Sequence, residues 1–355
     1  MIEKTNRVPL AFITGWGAVS PAGWSAGALR EALAADAQLP IITEKRSENA
    51  PHRHMRKVPP LAPMPDWMKN ARLRRTTTAA RYAVHAALEA LGEKNRALVQ
   101  SGALRLGIVF CTMNGCVQFS RRFFEEVLTN PAFASPILFP ETVYNAPASH
   151  LSALLGSPEM NYTLIGDSAQ FVRGVELGAQ WIEDSLVDAC LVVSAEELDW
   201  VSDEAWMLFG KNNIATEGAA AVLLQRESQP DQAAATVQHF TPVWTYGNRM
   251  SRAKAARELA LDLLGHARKQ ATCFDGFGSS VCGVFAGLRE WHAEYISVCK
   301  TFGEGFSVTS GWQTVAACEW LMEGRAEQAV VSAVGLTQQA AGLVVGGVPY
   351  PVTQD

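Results

Sequence analysis

Apolar positions along the chain follow two rhythms. Short runs that are apolar at nearly every residue occur at Leu10–Thr14, Leu106–Cys111, Tyr162–Ile165, Ala189–Ser194 and Ala219–Gln225. They recur at His239–Tyr246, Tyr295–Cys299, Gln328–Ala333 and Ala341–Val345, with Phe274–Phe277 at a strand-to-loop turn. Such runs predict strands buried on both faces. Between them, apolar residues spaced three and four apart predict helices at Ser25–Ala35, Arg75–Leu91, Gln118–Leu128, Gln170–Glu183, Ser251–Gln270 and Gly311–Met322. The alternation predicts an α/β fold, with parallel or mixed sheets covered by helices on both sides. Two polar stretches, Thr43–Pro65 and Arg226–Val237, predict linkers. The second would divide the chain into similar halves at 1–228 and 238–355, each with a strand, a glycine turn and an Ala-rich helix.

Composition narrows the function classes. At 355 residues, 48% hydrophobic and 18% charged, the chain is globular and too apolar for disorder. A net charge of −5 gives no nucleic-acid footprint. The basic clusters Arg53–Lys57, Arg72–Arg75 and Arg121–Arg122 are short. They read as solvated faces or helix ends, or as docking points for an acidic partner. The opening segment MIEKTNRVPLAFITG does not read as a signal peptide, and no run reaches membrane-spanning length. Seven scattered cysteines without a CxxC pair suggest reduced, buried thiols of a cytoplasmic protein rather than zinc ligands.

The short motifs carry little chemistry. GWSAG at Gly23–Gly27 fits a nucleophile-elbow pattern, but no strand runs directly into Ser25, which reads better as a helix N-cap. GWG at residues 15–17 lacks the rest of a dinucleotide fingerprint. His85 falls inside an amphipathic helix, His52 and His54 in a polar loop, and His150 in a helix, with no two placed like metal ligands. No metal and no cofactor is expected. The informative junction is "YTLIGDSAQFVRGVELGAQWI" at residues 162–182, where Ser168 stands between an apolar strand and a helix. A thiolate there would be activated by the helix dipole, whereas a serine hydroxyl needs a neighbouring base. Ser168 is a nucleophile, a helix N-cap or an inert small residue.

Taken in order, several segments resemble the β-ketoacyl synthases, the condensing enzymes of fatty acid and polyketide synthesis. "VPLAFITGWGAVSPAGWSAGALREAL" is similar to their opening strand, loop and helix, and "RLRRTTTAARYAVHAALEALG" to their first long helix. "RLGIVFCTMNGC" resembles the strand leading to the acyl-pocket gate, and "FPETVYNAPASHLSALLGSPEMNYTLIGDSAQ" the stretch ending at the active-site cysteine. "VDACLVVSAEE" matches the strand ending in the family's glutamate, at Glu196. "CFDGFGSSV" and "VCKTFGEGFSVTSGWQTVAACEWL" resemble the loops of the two catalytic histidines, and "AVVSAVGLTQQAAGLVV" the closing strands. The resemblance implies the five-layered αβαβα thiolase fold.

It also implies lost chemistry. The cysteine position is Ser168, the first histidine Phe277 and the second Gly305; only the lysine, Lys300, and Glu196 remain. Phe277 and Gly305 offer no side-chain donor to a developing enolate. The family's degenerate members are chain-length factors, which pair with an active synthase; the wording here is most similar to those of aryl polyene synthases. The resemblance therefore implies a non-catalytic heterodimer partner, working with an acyl carrier protein through the complex. Its side chains would shape the acyl tunnel: Met113 by position at the pocket gate, Leu138 and Phe139 at the cross-dimer segment, with Phe119, Phe123 and Phe124 nearby. For these residues ordinary core packing is the competing reading. An acyltransferase or thioesterase using Ser168 is the alternative function.

Overall fold

A computed structural model describes residues 10–208, 214–228, 235–275 and 294–347. The first stretch contains β1 (Ala11–Val19), α1 (Ala26–Ala34), β2 (Ile42–Glu44), β3 (Arg53–Arg56), α2 (Thr78–Gln100), β4 (Leu106–Thr112), α3 (Val117–Thr129), α4 (Ala146–Leu155), β5 (Asn161–Ile165), α5 (Ala169–Glu183), β6 (Ala189–Glu196) and α6 (Trp200–Trp206). Then come β7 (Ala215–Thr216), β8 (Gly218–Gln225), β9 (Ala235–Phe240), β10 (Trp244–Thr245), α7 (Arg249–His266) and β11 (Thr272–Asp275). The last stretch holds β12 (Tyr295–Ser297), α8 (Val298–Phe302), α9 (Ser307–Met322), β13 (Gln328–Val334) and β14 (Gln339–Gly347).

One mixed sheet runs β12-β11-β13-β14-β9-β1-β8-β6-β4-β5, with β10 on β14. Read inward from its two ends, it repeats one plan: two parallel pairings, then two antiparallel ones. A short antiparallel seam, Ala11–Ile13 with Ala235–Val237, joins the two sets. Helices α5 and α9 each pack on strands of both sets, so they form a buried layer between them; α2 and α4 cover one outer face and α7 the other. This is the expected α/β, αβαβα arrangement.

The middle layer is possible because α9 is buried from Ser307 to Cys318 and most of its polar groups find partners. Gln313 Nε2 donates to the carbonyls of Phe274 (3.1 Å) and Ser332 (2.9 Å), and Trp312 Nε1 to those of Val19 and Ala219. Buried polar groups are tolerated only when bonded in this way. At Gly311 a Cβ would stand 2.6 Å from the Ala220 Cβ, so only glycine lets the helix approach the sheet here.

Three sequence expectations need correction. The strand expected over His239–Tyr246 breaks after Phe240, where Pro242 cannot donate to a ladder. The linker at Thr43–Pro65 holds β2 and β3, which with β7 make a small second sheet. Within it, Arg53 and Arg56 are buried rather than solvated. Arg53 Nη1 lies 2.9 Å from Asp203 Oδ2, which supplies the charge that burial demands.

Candidate functional site

β5 ends where Gly166 N donates to the Thr112 carbonyl, and Ser168 follows at the mouth of α5. Its backbone is already helical and its side chain caps nothing, which corrects the N-cap reading. Instead Ser168 Oγ donates to the Phe306 carbonyl at 3.0 Å, and Ser310 Oγ donates to the Ser168 carbonyl. Ser168 is 3% exposed. A serine acts as a nucleophile when a base takes its proton. Here that proton is directed at a main-chain carbonyl, and no imidazole or carboxylate among the described residues accepts it.

Phe306 occupies the space in front of Ser168. It has φ +53° and ψ −118°, a conformation that non-glycine residues adopt only under constraint. Its ring stacks on Trp206 at 4.2 Å and packs with Leu336 and Met113. The cavity left beside this plug is about 20 Å³, lined by Arg53, Asp203, Trp206, Glu304, Phe306 and Leu336 among others. That is room for a water molecule, not an acyl chain.

Glu196 ends β6, fully buried. It accepts from Met113 N, Asn114 N (3.0 Å) and Ser307 Oγ (2.7 Å), tying the turn after β4 to the start of α9. Burial lifts its carboxyl to about 7. The gate-position Met113 is thus held through its own backbone.

The other expected positions scatter. Gly305 lies next to the plug, its N–H donating to Thr309 Oγ1 at 2.9 Å. A Cβ there would come within 3.1 Å of the Trp312 ring. Lys300 is not brought to the site: it is 61% exposed and its Nζ pairs with Asp36 Oδ2 at 2.5 Å. Phe277 lies outside the described residues.

Two acids lie beside these positions: Asp167, which as a sequence neighbour of Ser168 is not expected to reach its hydroxyl, and Glu304, which the sequence reading does not single out. Glu304 accepts from Phe306 N at 2.9 Å and from Thr309 Oγ1, and burial raises it to about 7. It holds the turn that puts Phe306 in place. Asp167 Oδ2 accepts from Thr337 N, Thr337 Oγ1 and Gln338 N, fastening the loop that carries Leu336. Both stand directly beside positions singled out in the sequence, Gly305 and Ser168. An acid adjacent to a degenerate catalytic position is the signal that would have found them.

Apart from Met113, the tunnel candidates lie at or near the surface. No residue of α3 is fully buried: Phe119 and Phe123 are half-buried and Phe124 is exposed. Phe123 packs on Phe139 at 5.5 Å. Phe119, Ile137 and Leu138 line an open groove of about 600 Å³ with Arg74, Arg75, Arg81 and Arg122. Exposed apolar residues continue through Leu128, Phe133 (82% exposed) and Phe139 to Tyr162 and Ile165 on β5. β5 is the sheet edge next to fully buried β4, and no strand among the described residues covers its far side. Glu141, beside Phe139, pairs with His150 on α4, and α4 packs on β5.

No family model and no curated protein matches the chain. Solved structures do. A chain of the ishigamide ketosynthase/chain length factor superposes with a TM-score of 0.77 at 18% identity, covering 95% of this chain and 99% of that one. AntDE:AntF, a type II polyketide acyl-carrier protein in complex with its ketosynthase, gives 0.76 at 17% over 96% and 100%. The ketosynthase ApeO in complex with its chain length factor ApeC, from Xenorhabdus doucetiae, gives 0.75 at 14% over 98% and 100%. From end to end, this chain has the thiolase-like fold of the ketosynthases and chain-length factors.

Proposed function

We propose that the chain is a non-condensing, chain-length-factor-like partner of an active β-ketoacyl synthase, in type II polyketide, aryl polyene or fatty-acid-like synthesis. One observation carries the reading: among the described residues, Ser168 has no base, its site is plugged by Phe306, and an exposed apolar surface and an unpaired strand edge lie elsewhere on the chain. Isolated soluble chains rarely leave such a patch and such an edge uncovered. A second subunit pairing along β5 and seated on α3 would cover both. Met113, Leu138, Phe139, Phe119 and Phe123 would then face the partner's acyl tunnel and set its length. The arginine-lined groove beside them suits an acidic carrier protein approaching the complex. Among the proteins of this fold, ApeO is described in complex with its chain length factor and AntDE with its carrier protein, in keeping with such an assembly.

Native mass spectrometry of the tagged protein from its own host tests this. A 1:1 complex with a synthase retaining its cysteine is the expected result. A homodimer or a monomer overturns the reading and turns attention to acylation of Ser168.

A further inference from the structure

On the opposite outer face, away from the plug and the apolar surface, three side chains with metal-ligand chemistry converge. His239 comes from β9, and Asp262 and His266 from successive turns of α7. His239 Nε2 lies 2.6 Å from Asp262 Oδ1, and His266 Nδ1 lies 3.6 Å from the same oxygen. The two imidazoles stack with centroids 3.5 Å apart and planes 11° from parallel. One nitrogen of each ring and a carboxylate oxygen all fall within 4.8 Å of one another. We propose that His239, Asp262 and His266 bind a divalent transition-metal ion, zinc foremost, that clips α7 to the central sheet. The proposal is independent of the chain-length-factor reading.

Ligand atoms around a tetrahedral zinc, each about 2.0–2.2 Å from the ion, stand about 3.3–3.5 Å apart. The ligand atoms here span a wider range around that spacing, and the stacked rings must swing apart before both lone pairs meet at one point. The i, i+4 spacing on α7 puts Asp262 and His266 on one helix face, and His239 supplies a third ligand from a second element. His266 Nδ1 also lies 2.9 Å from the Asp262 carbonyl, a hydrogen bond that this nitrogen gives up when it offers its lone pair to the ion. His266 closes α7, where the negative end of the helix dipole favours a cation. The three side chains are 18–29% exposed, which leaves an entry path and a place for water as a further ligand. Asp262 is already partnered by His239, and a shared cation would draw the neighbouring His266 into the same set of contacts. Uptake needs both rings neutral, with the proton shared by His239 Nε2 and Asp262 moved to the ring's other nitrogen so that Nε2 offers its lone pair. Read along the chain, His239 and His266 have no recognisable ligand spacing; only packing of α7 beside β9 brings them together.

The test uses the full chain with its tag removed, freed of metal with a chelator and titrated with Co²⁺ and then Zn²⁺. One equivalent of Co²⁺ should give visible ligand-field bands, which Zn²⁺ abolishes, and the metal should raise the melting temperature. H239Q and H266Q should each weaken uptake by about a hundredfold, and D262N by about tenfold. All three should melt with the wild type in chelator, since these side chains reach the surface. If the wild type takes up no Co²⁺, or the H239Q/H266Q double variant takes it up with equal affinity and stoichiometry, the site does not exist.

Discussion

At Ser168 the hydroxyl is committed to the Phe306 carbonyl. Installing the ketosynthase residues expected at these positions should therefore not confer condensation. In the S168C/F277H/G305H variant, the new side chain at 305 meets the fully buried Trp312. Overpacking of this kind costs about 1–3 kcal/mol. Malonyl decarboxylation and condensation by the isolated variant should stay at background, and chemical denaturation should show the loss of stability. Glu304 supports a second prediction. Its carboxyl is raised to about 7 by burial, from an ordinary 4.5. Between those values the folded chain holds more protons than the unfolded one. Its stabilising contribution is therefore complete below pH 4.5 and is lost as pH rises through 7. In E304Q, which keeps the acceptor for Phe306 N, unfolding free energy measured from pH 5 to 8 should fall less steeply than in the wild type. At this scale the sequence was only partly legible. Ser168 and Glu196 could be placed by position, because strand ends and helix starts locate them. Lys300 could not, because the direction of a side chain on a short helix depends on what packs beneath it.

The elements were easier to read. β4, β6, β8 and β13 are apolar at nearly every position because both their faces are covered, and the run itself announces that. α2 passes its expected end at Leu91 and continues to Gln100, but Gly92, at φ +63°, breaks the helical geometry where the pattern stops. Thr43–Pro65 was misread because pairing, not local hydrophobicity, makes β2 and β3 strands. α3 was correctly placed but its setting was not legible. Its phenylalanines look like core to any rule based on periodicity, and only the fold shows that none of them is fully buried. If the proposed synthase partner seats on α3, L128D/F133D should abolish co-purification with it while leaving the melting temperature of the chain within a few degrees, since both residues are already exposed.

For the whole molecule, the sequence hinted at duplication through its recurring strand, glycine turn and helix, and the sheet displays one pairing plan twice. The seam between the sets was not legible, because it rests on three residues from each of two distant strands. Chain length, if the complex sets it, belongs to this scale. In a reconstituted synthase complex, M113W should shorten the product and M113A lengthen it, as read by mass spectrometry of the released chains. An intrusion of about 1–3 kcal/mol corresponds to roughly a tenfold change in product ratio. Unchanged products would leave this subunit a stabiliser rather than a ruler.

The shared middle layer also orders events in time. α9 spans residues 307–322 and packs against strands made more than two hundred residues earlier. As the chain leaves the ribosome, the face of α5 that meets α9 must wait, apolar and uncovered, until residues 307–322 emerge. A chain stopped short of α9 has no intermediate domain in which to shelter. Nonsense truncations and degradation fragments of this protein should be insoluble rather than partly functional, and its supply to any partner is all-or-none.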